Sequence, residues 1–271
     1  MSRIGILAGG GKLPLIIGES LLKKDYDIFF FGFEDFVDFK IYKKYNFKKI
    51  SLNSFTNIIG HLRKYKIDQI IMAGNIKRPS IKDIKFDFNT LKIIKKYLLQ
   101  SKGDDKLLSC IADFFEEKGY PVFNWIRHCE DLFEDKVYLT NKKPSKNADL
   151  NKLKGLQIFD VIGNTDIAQS LIIQNQLILG IEAAEGTDEL IKRCYSYKKK
   201  GDDGILIKLS KFHQNSYLDI PTIGLQTVKN IKKNNFEGIF LERKKCIIIE
   251  KQKVIDFCNI NGIFISTVIK I

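Results

Sequence analysis

Glu182-Ala183-Ala184-Glu185-Gly186-Thr187-Asp188 places three carboxylates and a hydroxyl within seven residues, between an apolar run and a helical pattern. Clustered carboxylates without His or Cys suit Mg²⁺ or Mn²⁺, hard ions that take oxygen ligands and keep bound water. Capping of the helix accounts for Thr187 and Asp188, but not for Glu182 and Glu185 flanking the same turn. Further on, Lys208-Leu209-Ser210-Lys211-Phe212-His213-Gln214-Asn215 supplies cations. Leu218-Asp219-Ile220-Pro221-Thr222-Ile223-Gly224 follows with one acid. Asp219 stands beside an Ile-Pro step, where the backbone is held extended. A carboxylate fixed there can hold a metal, orient water, or merely cap a turn.

Two loops in the first half suit phosphate. Ala8-Gly9-Gly10-Gly11-Lys12-Leu13-Pro14 follows an apolar run and opens a helix. Its glycines let backbone N–H groups approach an anion at the positive end of that helix; a tight turn is the plainer use. The loop is neither a dinucleotide fingerprint, which needs glycine where Pro14 stands, nor a P-loop, which ends in Lys-Ser or Lys-Thr. Gly74-Asn75-Ile76-Lys77-Arg78-Pro79 follows another apolar run, and Arg78 offers a planar fork for phosphate or carbonyl oxygens. The competing reading pairs Arg78 with a surface carboxylate. Gly103-Asp104-Asp105 reads first as a helix cap.

These loops need a scaffold. Apolar runs at 3–8, 27–33, 47–52 and 69–73 alternate with helical patterns at 13–24 and from the N-cap Ser54 to 64. That alternation predicts a parallel sheet covered on both faces, with loops at the strands' carboxyl ends. Helices at 89–100 and 105–118 and a strand at 121–125 complete a first domain. In the second half, Ser170–Gln174 and Leu177–Glu182 read as a hairpin about Asn175-Gln176. Beyond it are helices at 187–199, 225–234 and 251–260, and strands at 204–209, 238–242, 246–249 and 263–268. The expected fold is α/β: a Rossmann-like parallel-sheet domain over 1–133, a polar linker over 134–157, and a mixed α/β domain over 158–271.

Composition narrows the function classes. The 271 residues are 44% hydrophobic, enough for buried cores, and no apolar run approaches the ~20 residues that cross a bilayer. Met1-Ser2-Arg3 leads straight into strand-like sequence, so no secretory signal is expected. Five cysteines without a CxxC pair read as reduced thiols of a cytoplasmic protein, and the three histidines form no zinc pattern. The net charge of +13 comes largely from Lys runs such as Lys198-Lys199-Lys200. It fits a solvated surface, or attraction to phosphates or anionic lipid.

Taken together, five stretches resemble the UDP-2,3-diacylglucosamine pyrophosphatases of lipid A biosynthesis, the LpxI family. They are AGGGKLP at 8–14, MAGNIKRP at 72–79, GDD at 103–105, EAAEGTD at 182–188, and the 208–224 stretch ending DIPTIG. They occur in the family's order along nearly the whole chain. The resemblance implies hydrolysis of UDP-2,3-diacylglucosamine to 2,3-diacylglucosamine 1-phosphate (lipid X) and UMP, dependent on Mg²⁺ or Mn²⁺. It makes Asp219 the catalytic aspartate and a metal ligand, with Glu182, Glu185 and Asp188 as further ligands. Gly9, Gly10, Gly11, Lys12 and Arg78 are the expected substrate contacts of the first domain; Thr187, Lys208, Lys211, Gln214 and Thr222 are those of the second. Family members often read Gln-Asp-x-Arg where this chain has Gln214, Asn215, Ser216 and Tyr217, with Lys208, Lys211 or Arg78 as substitutes.

The implied partners are a lipid-linked UDP-sugar, its lipid X product and, transiently, the anionic cytoplasmic face of the inner membrane. Self-association is compatible with the sequence. One rival is an NAD-dependent nucleotide-sugar oxidoreductase, disfavoured by the incomplete glycine pattern. The other is a non-enzymatic nucleic-acid-binding protein, for which no basic helix or aromatic-interleaved motif appears.

Overall fold

The structure, a computed structural model, describes residues 2–76, 87, 88, 90, 91, 104–162, 168–210 and 220–270. The chain divides into two units between Cys129 and Glu130.

In the first unit, β1 (Arg3–Ala8), β2 (Asp27–Phe33), β3 (Phe47–Ile50) and β4 (Gln69–Ala73) form an all-parallel sheet in the order β3-β2-β1-β4. β1 and β2 are buried along nearly their whole length, as central strands of a covered parallel sheet are. α1 (Leu13–Leu22) carries Pro14 in its first turn, where a missing N–H costs nothing. α2 (Phe55–Lys64) is capped by Ser54, whose hydroxyl accepts from the Asn57 N–H at 3.3 Å. α3 spans Asp104–Glu117. The core is built on aromatics: Phe29, Phe31, Phe33, Phe55, Phe114 and Phe115 pack with Leu7, Leu62 and Ile70.

The second unit is a mixed sheet, order β11-β9-β7-β5-β6, made from β5 (Ser170–Gln174), β6 (Leu177–Ile181), β7 (Ile205–Lys208), β9 (Gly238–Glu242) and β11 (Phe264–Val268). β7, β9 and β11 are parallel, and β5 runs antiparallel to both neighbours. A separate two-stranded ribbon pairs β8 (Thr222–Ile223) with β10 (Ile247–Ile248). Strand alternation splits the core. Leu171, Ile173, Ile205 and Ile207 face α4 (Lys146–Ile162), where they meet Ala148 and Phe159. Ile172, Leu206, Ile239 and Leu241 face α5 (Thr187–Cys194), α6 (Leu225–Lys233) and α7 (Lys251–Asn261).

Two expectations need correction. The stretch 134–157 is not a free linker. Thr267 N–H donates to the Val137 carbonyl at 2.8 Å and Leu139 N–H to that of Ile265 at 3.0 Å, so residues 137–139 lie along the edge of β11. Lys146 then opens α4. Its N-cap Ser145 accepts from the Ala148 N–H at 3.1 Å and donates its own hydroxyl and N–H to the buried Glu237 carboxylate, each at 2.8 Å. Pro121–Trp125 is also not a full strand: Val122 makes a single bridge to Ile70, and the chain turns into a 3₁₀ segment at Trp125. The Trp125 indole, 1% exposed, is drawn into the core at that turn. All but residues 90 and 91 of the helix expected at 89–100 lie outside the described residues.

Candidate functional site

Antiparallel pairing of β5 with β7 sets Ser170 directly opposite Lys208. Glu182 follows β6 at the same end of the sheet, its N–H donating to the Ser170 carbonyl at 2.9 Å. Gly186, with φ of 81°, turns the chain so that Thr187 starts α5 beside them.

Their side chains form one network. Lys208 Nζ donates to Thr187 Oγ1 at 2.7 Å and to Ser170 Oγ at 3.2 Å. The Thr187 hydroxyl donates in turn to Glu182 Oε1 at 3.0 Å. Glu182 Oε2 lies 3.6 Å from Lys208 Nζ, and that oxygen is buried without a hydrogen-bond partner among the described residues. Lys208 is 4% exposed. A buried ammonium needs a counter-charge and acceptors for its protons. Here two of its three N–H groups meet hydroxyls and the carboxylate supplies the charge. The third N–H has no hydrogen-bond acceptor among the described residues. No side chain caps the start of α5, whose first N–H groups and positive dipole end add to the same field. The cluster can therefore take one more anionic oxygen.

Glu185 is engaged elsewhere. Glu185 pairs with Arg193 at 2.8 Å, and Arg193 also donates to the Ile181 carbonyl at 2.7 Å. Burial works against the Glu185 charge, but hydrogen bonds from backbone N–H groups and from Arg193 outweigh it and hold the carboxyl below its ordinary range. Asp188 has a buried Oδ1 without a hydrogen-bond partner among the described residues. Among those residues, no three His, Cys, Asp or Glu side chains are placed to share a metal ion. Of the expected carboxylates, Glu182 thus faces Lys208 and Glu185 faces Arg193. Thr222 sits half-buried in β8, opposite Ile247.

Composition and spacing gave no signal for Ser170, Arg193 or Glu242. Glu242, 8% exposed at the end of β9, accepts from both the N–H and the hydroxyl of Ser210 at 2.7 Å. That clamp fixes the chain two residues beyond Lys208. Only the strand register would have revealed Ser170.

In the first unit the glycine loop follows β1, as expected, but its main-chain groups are differently engaged. Gly9 N–H donates to the Ala73 carbonyl at 2.8 Å. Gly10 N–H donates to Asn75 O at 2.7 Å, and Asn75 N–H returns a bond to Gly10 O at 2.9 Å. Those two N–H groups serve the fold and not a phosphate. Glycine is required because the two loops touch: a Cβ on Gly9 would lie 2.9 Å from the carbonyl oxygens of Gly74 and Asn75. Gly11 N–H donates to no backbone carbonyl among the described residues, and exposed Lys12 precedes α1. Arg78, Lys211, Gln214 and Asp219 lie outside the described residues. No helix among those residues is long and apolar enough to cross a membrane.

Two α/β units, the first a parallel sheet with a glycine loop after β1 and the second a mixed sheet with a buried lysine, define the class of protein. The profile of the LpxI N-terminal domain matches residues 3–132, and that of the LpxI C-terminal domain matches residues 135–266. The chain belongs to the LpxI family. It is 26% identical over 274 residues to the UDP-2,3-diacylglucosamine pyrophosphatase LpxI of Caulobacter vibrioides, covering 98% of this chain and 97% of that protein.

Proposed function

We propose that this protein hydrolyses the pyrophosphate bond of UDP-2,3-diacylglucosamine, releasing lipid X and UMP. Family membership across both units and the activity named for the Caulobacter relative support the reading. The observation that carries it is the buried Lys208 ammonium, held by Thr187 and Ser170 with one N–H left for an anionic oxygen.

In this reading Lys208 and the start of α5 receive a phosphoryl oxygen and stabilise charge that builds as the anhydride breaks. Such donors act without reorganising, because Thr187 and Ser170 already fix the ammonium. Asp219 is the catalytic carboxylate of the proposal, orienting water at the diphosphate. The proposal also includes a requirement for Mg²⁺ or Mn²⁺, ions that neutralise a diphosphate and lower the pKa of bound water. A net charge of +13 supports encounter with an anionic lipid face, where a diacyl substrate resides.

The test is incubation of the full chain with UDP-2,3-diacylglucosamine and Mg²⁺ or Mn²⁺, with products identified by mass. UMP and lipid X appearing together support the reading. Neither product under any metal condition sinks it.

A further inference from the structure

We infer that Glu182 is a positioning residue for Lys208, acting through Thr187, and not a ligand of a catalytic metal. The inference rests on the reading of Lys208 as a phosphoryl-oxygen donor.

Thr187 Oγ1 accepts from Lys208 at 2.7 Å, so its own proton must go elsewhere, and Glu182 Oε1 at 3.0 Å takes it. That acceptance fixes the rotation of the hydroxyl and turns a lone pair to the ammonium. Without it the Thr187 proton is left with the longer contact to Ser170 Oγ at 3.3 Å, an oxygen that already accepts from Lys208. Glu182 Oε2, 3.6 Å from Nζ, supplies a counter-charge to a 4% exposed lysine. One oxygen thus orients the threonine and the other balances the lysine. A metal bound to the same carboxylate would set a second cation beside a buried ammonium, and among the described residues no three His, Cys, Asp or Glu side chains are placed to hold one. Glu185, the acid three residues on, is held by Arg193 instead and offers no second ligand. The same acidic stretch therefore builds a lysine site.

The inference separates two jobs by chemistry. A carboxamide still accepts a hydrogen bond from Thr187 but is a poor ligand for Mg²⁺ or Mn²⁺. The experiment compares Glu182→Gln and Glu182→Ala in the full chain. Mn²⁺ affinity is read by paramagnetic-resonance titration, and KM and kcat are measured with UDP-2,3-diacylglucosamine. Losing a hydrogen bond that orients a charged donor is worth roughly tenfold in binding. Glu182→Ala is expected to raise KM about tenfold, Glu182→Gln to recover the part that orienting Thr187 supplies though not the counter-charge, and both to bind Mn²⁺ within about twofold of the parent. A protein that binds no Mn²⁺ at all leaves the KM pattern to decide.

Three results overturn the inference. One is a loss of Mn²⁺ affinity well beyond twofold in Glu182→Gln. Another is a KM for Glu182→Gln no better than that of Glu182→Ala. The third comes from Lys208→Ala in the same series: an unchanged KM there removes the anion-donor reading itself, and with it any role in positioning Lys208. Should Glu182→Ala fail to fold, by thermal melt, Mn²⁺ binding to Glu182→Gln alone decides.

Discussion

Ser170 and Lys208 stand opposite each other in the β5–β7 pairing, and the lysine ammonium reaches back 3.2 Å to the serine hydroxyl. The two residues are separated by 38 positions in sequence, and antiparallel register alone brings them together. A cation at the end of one strand is thereby aimed by its neighbour.

Removing that aim has a measurable cost. Ser170→Ala keeps the strand and deletes one acceptor of the buried ammonium, worth about 0.5–1.5 kcal/mol. KM for UDP-2,3-diacylglucosamine should rise roughly threefold to tenfold. An unchanged KM in a folded Ser170→Ala protein would show that Thr187 alone suffices to hold Lys208.

The glycine loop should fail structurally before it fails in binding. In Gly9→Ala the new Cβ would press on the main chain at 2.9 Å, where no flexible side chain can move aside. A cost of about 1–3 kcal/mol is expected, a Tm drop of roughly 3–12 °C, with KM of the folded fraction near the parent's. A raised KM without loss of Tm would return the Gly9 main chain to the ligand.

Alkaline pH should destabilise the fold. Burial pushes the Cys194 thiol up to about 11, those of Cys246 and Cys258 to about 12, and the Tyr42 phenol to about 12. In the unfolded chain these groups ionise near 9.0 and 10.0 and release protons that the folded chain retains. Stability is therefore full below pH ~9 and falls as pH climbs toward 11–12, by up to about 1.4 kcal/mol per pH unit for each group. Lys198 and Lys270, whose pKa values burial lowers, pull the opposite way, but both are partly exposed. Urea midpoints at pH 7, 9 and 10.5 check the sign; a midpoint that rises between the last two contradicts it.

Chelation and Asp219 test the chemical half of the proposal. EDTA should abolish turnover and Mg²⁺ or Mn²⁺ restore it. Asp219→Ala should lower kcat at least roughly 10²-fold, the scale of losing one acid-base or electrostatic group, with substrate still bound. Wild-type turnover in a destabilised Asp219→Ala protein would take the residue off the catalytic list.

Local chemistry was legible in the sequence, and distant pairing was not. Ser54 announced its helix, and Asn175-Gln176 announced the hairpin, where both residues take the positive φ that such turns need. Alternating apolar runs and helical patterns gave the parallel sheet of the first unit. The acidic stretch looked like one cluster because sequence records spacing and not direction. Glu185 turns to Arg193, eight residues on, while Glu182 turns to a lysine on a strand further along the chain. The polar stretch before α4 looked like a linker because its cap partner, Glu237, lies 92 residues beyond Ser145. Composition cannot show a partner that only the fold delivers.

The edge of β11 bears on how the protein is made. Residues 137–139, near the start of the second unit, lie against β11, which leaves the ribosome after every other strand of that sheet. The first unit's sheet is complete once β4 has emerged, so it can fold while synthesis continues. The second unit must hold residues 137–139 and the β11-side edge of β9 unpaired until its last strand arrives. Exposure to chaperones and proteases during synthesis therefore falls mainly on the half of the chain that carries Lys208.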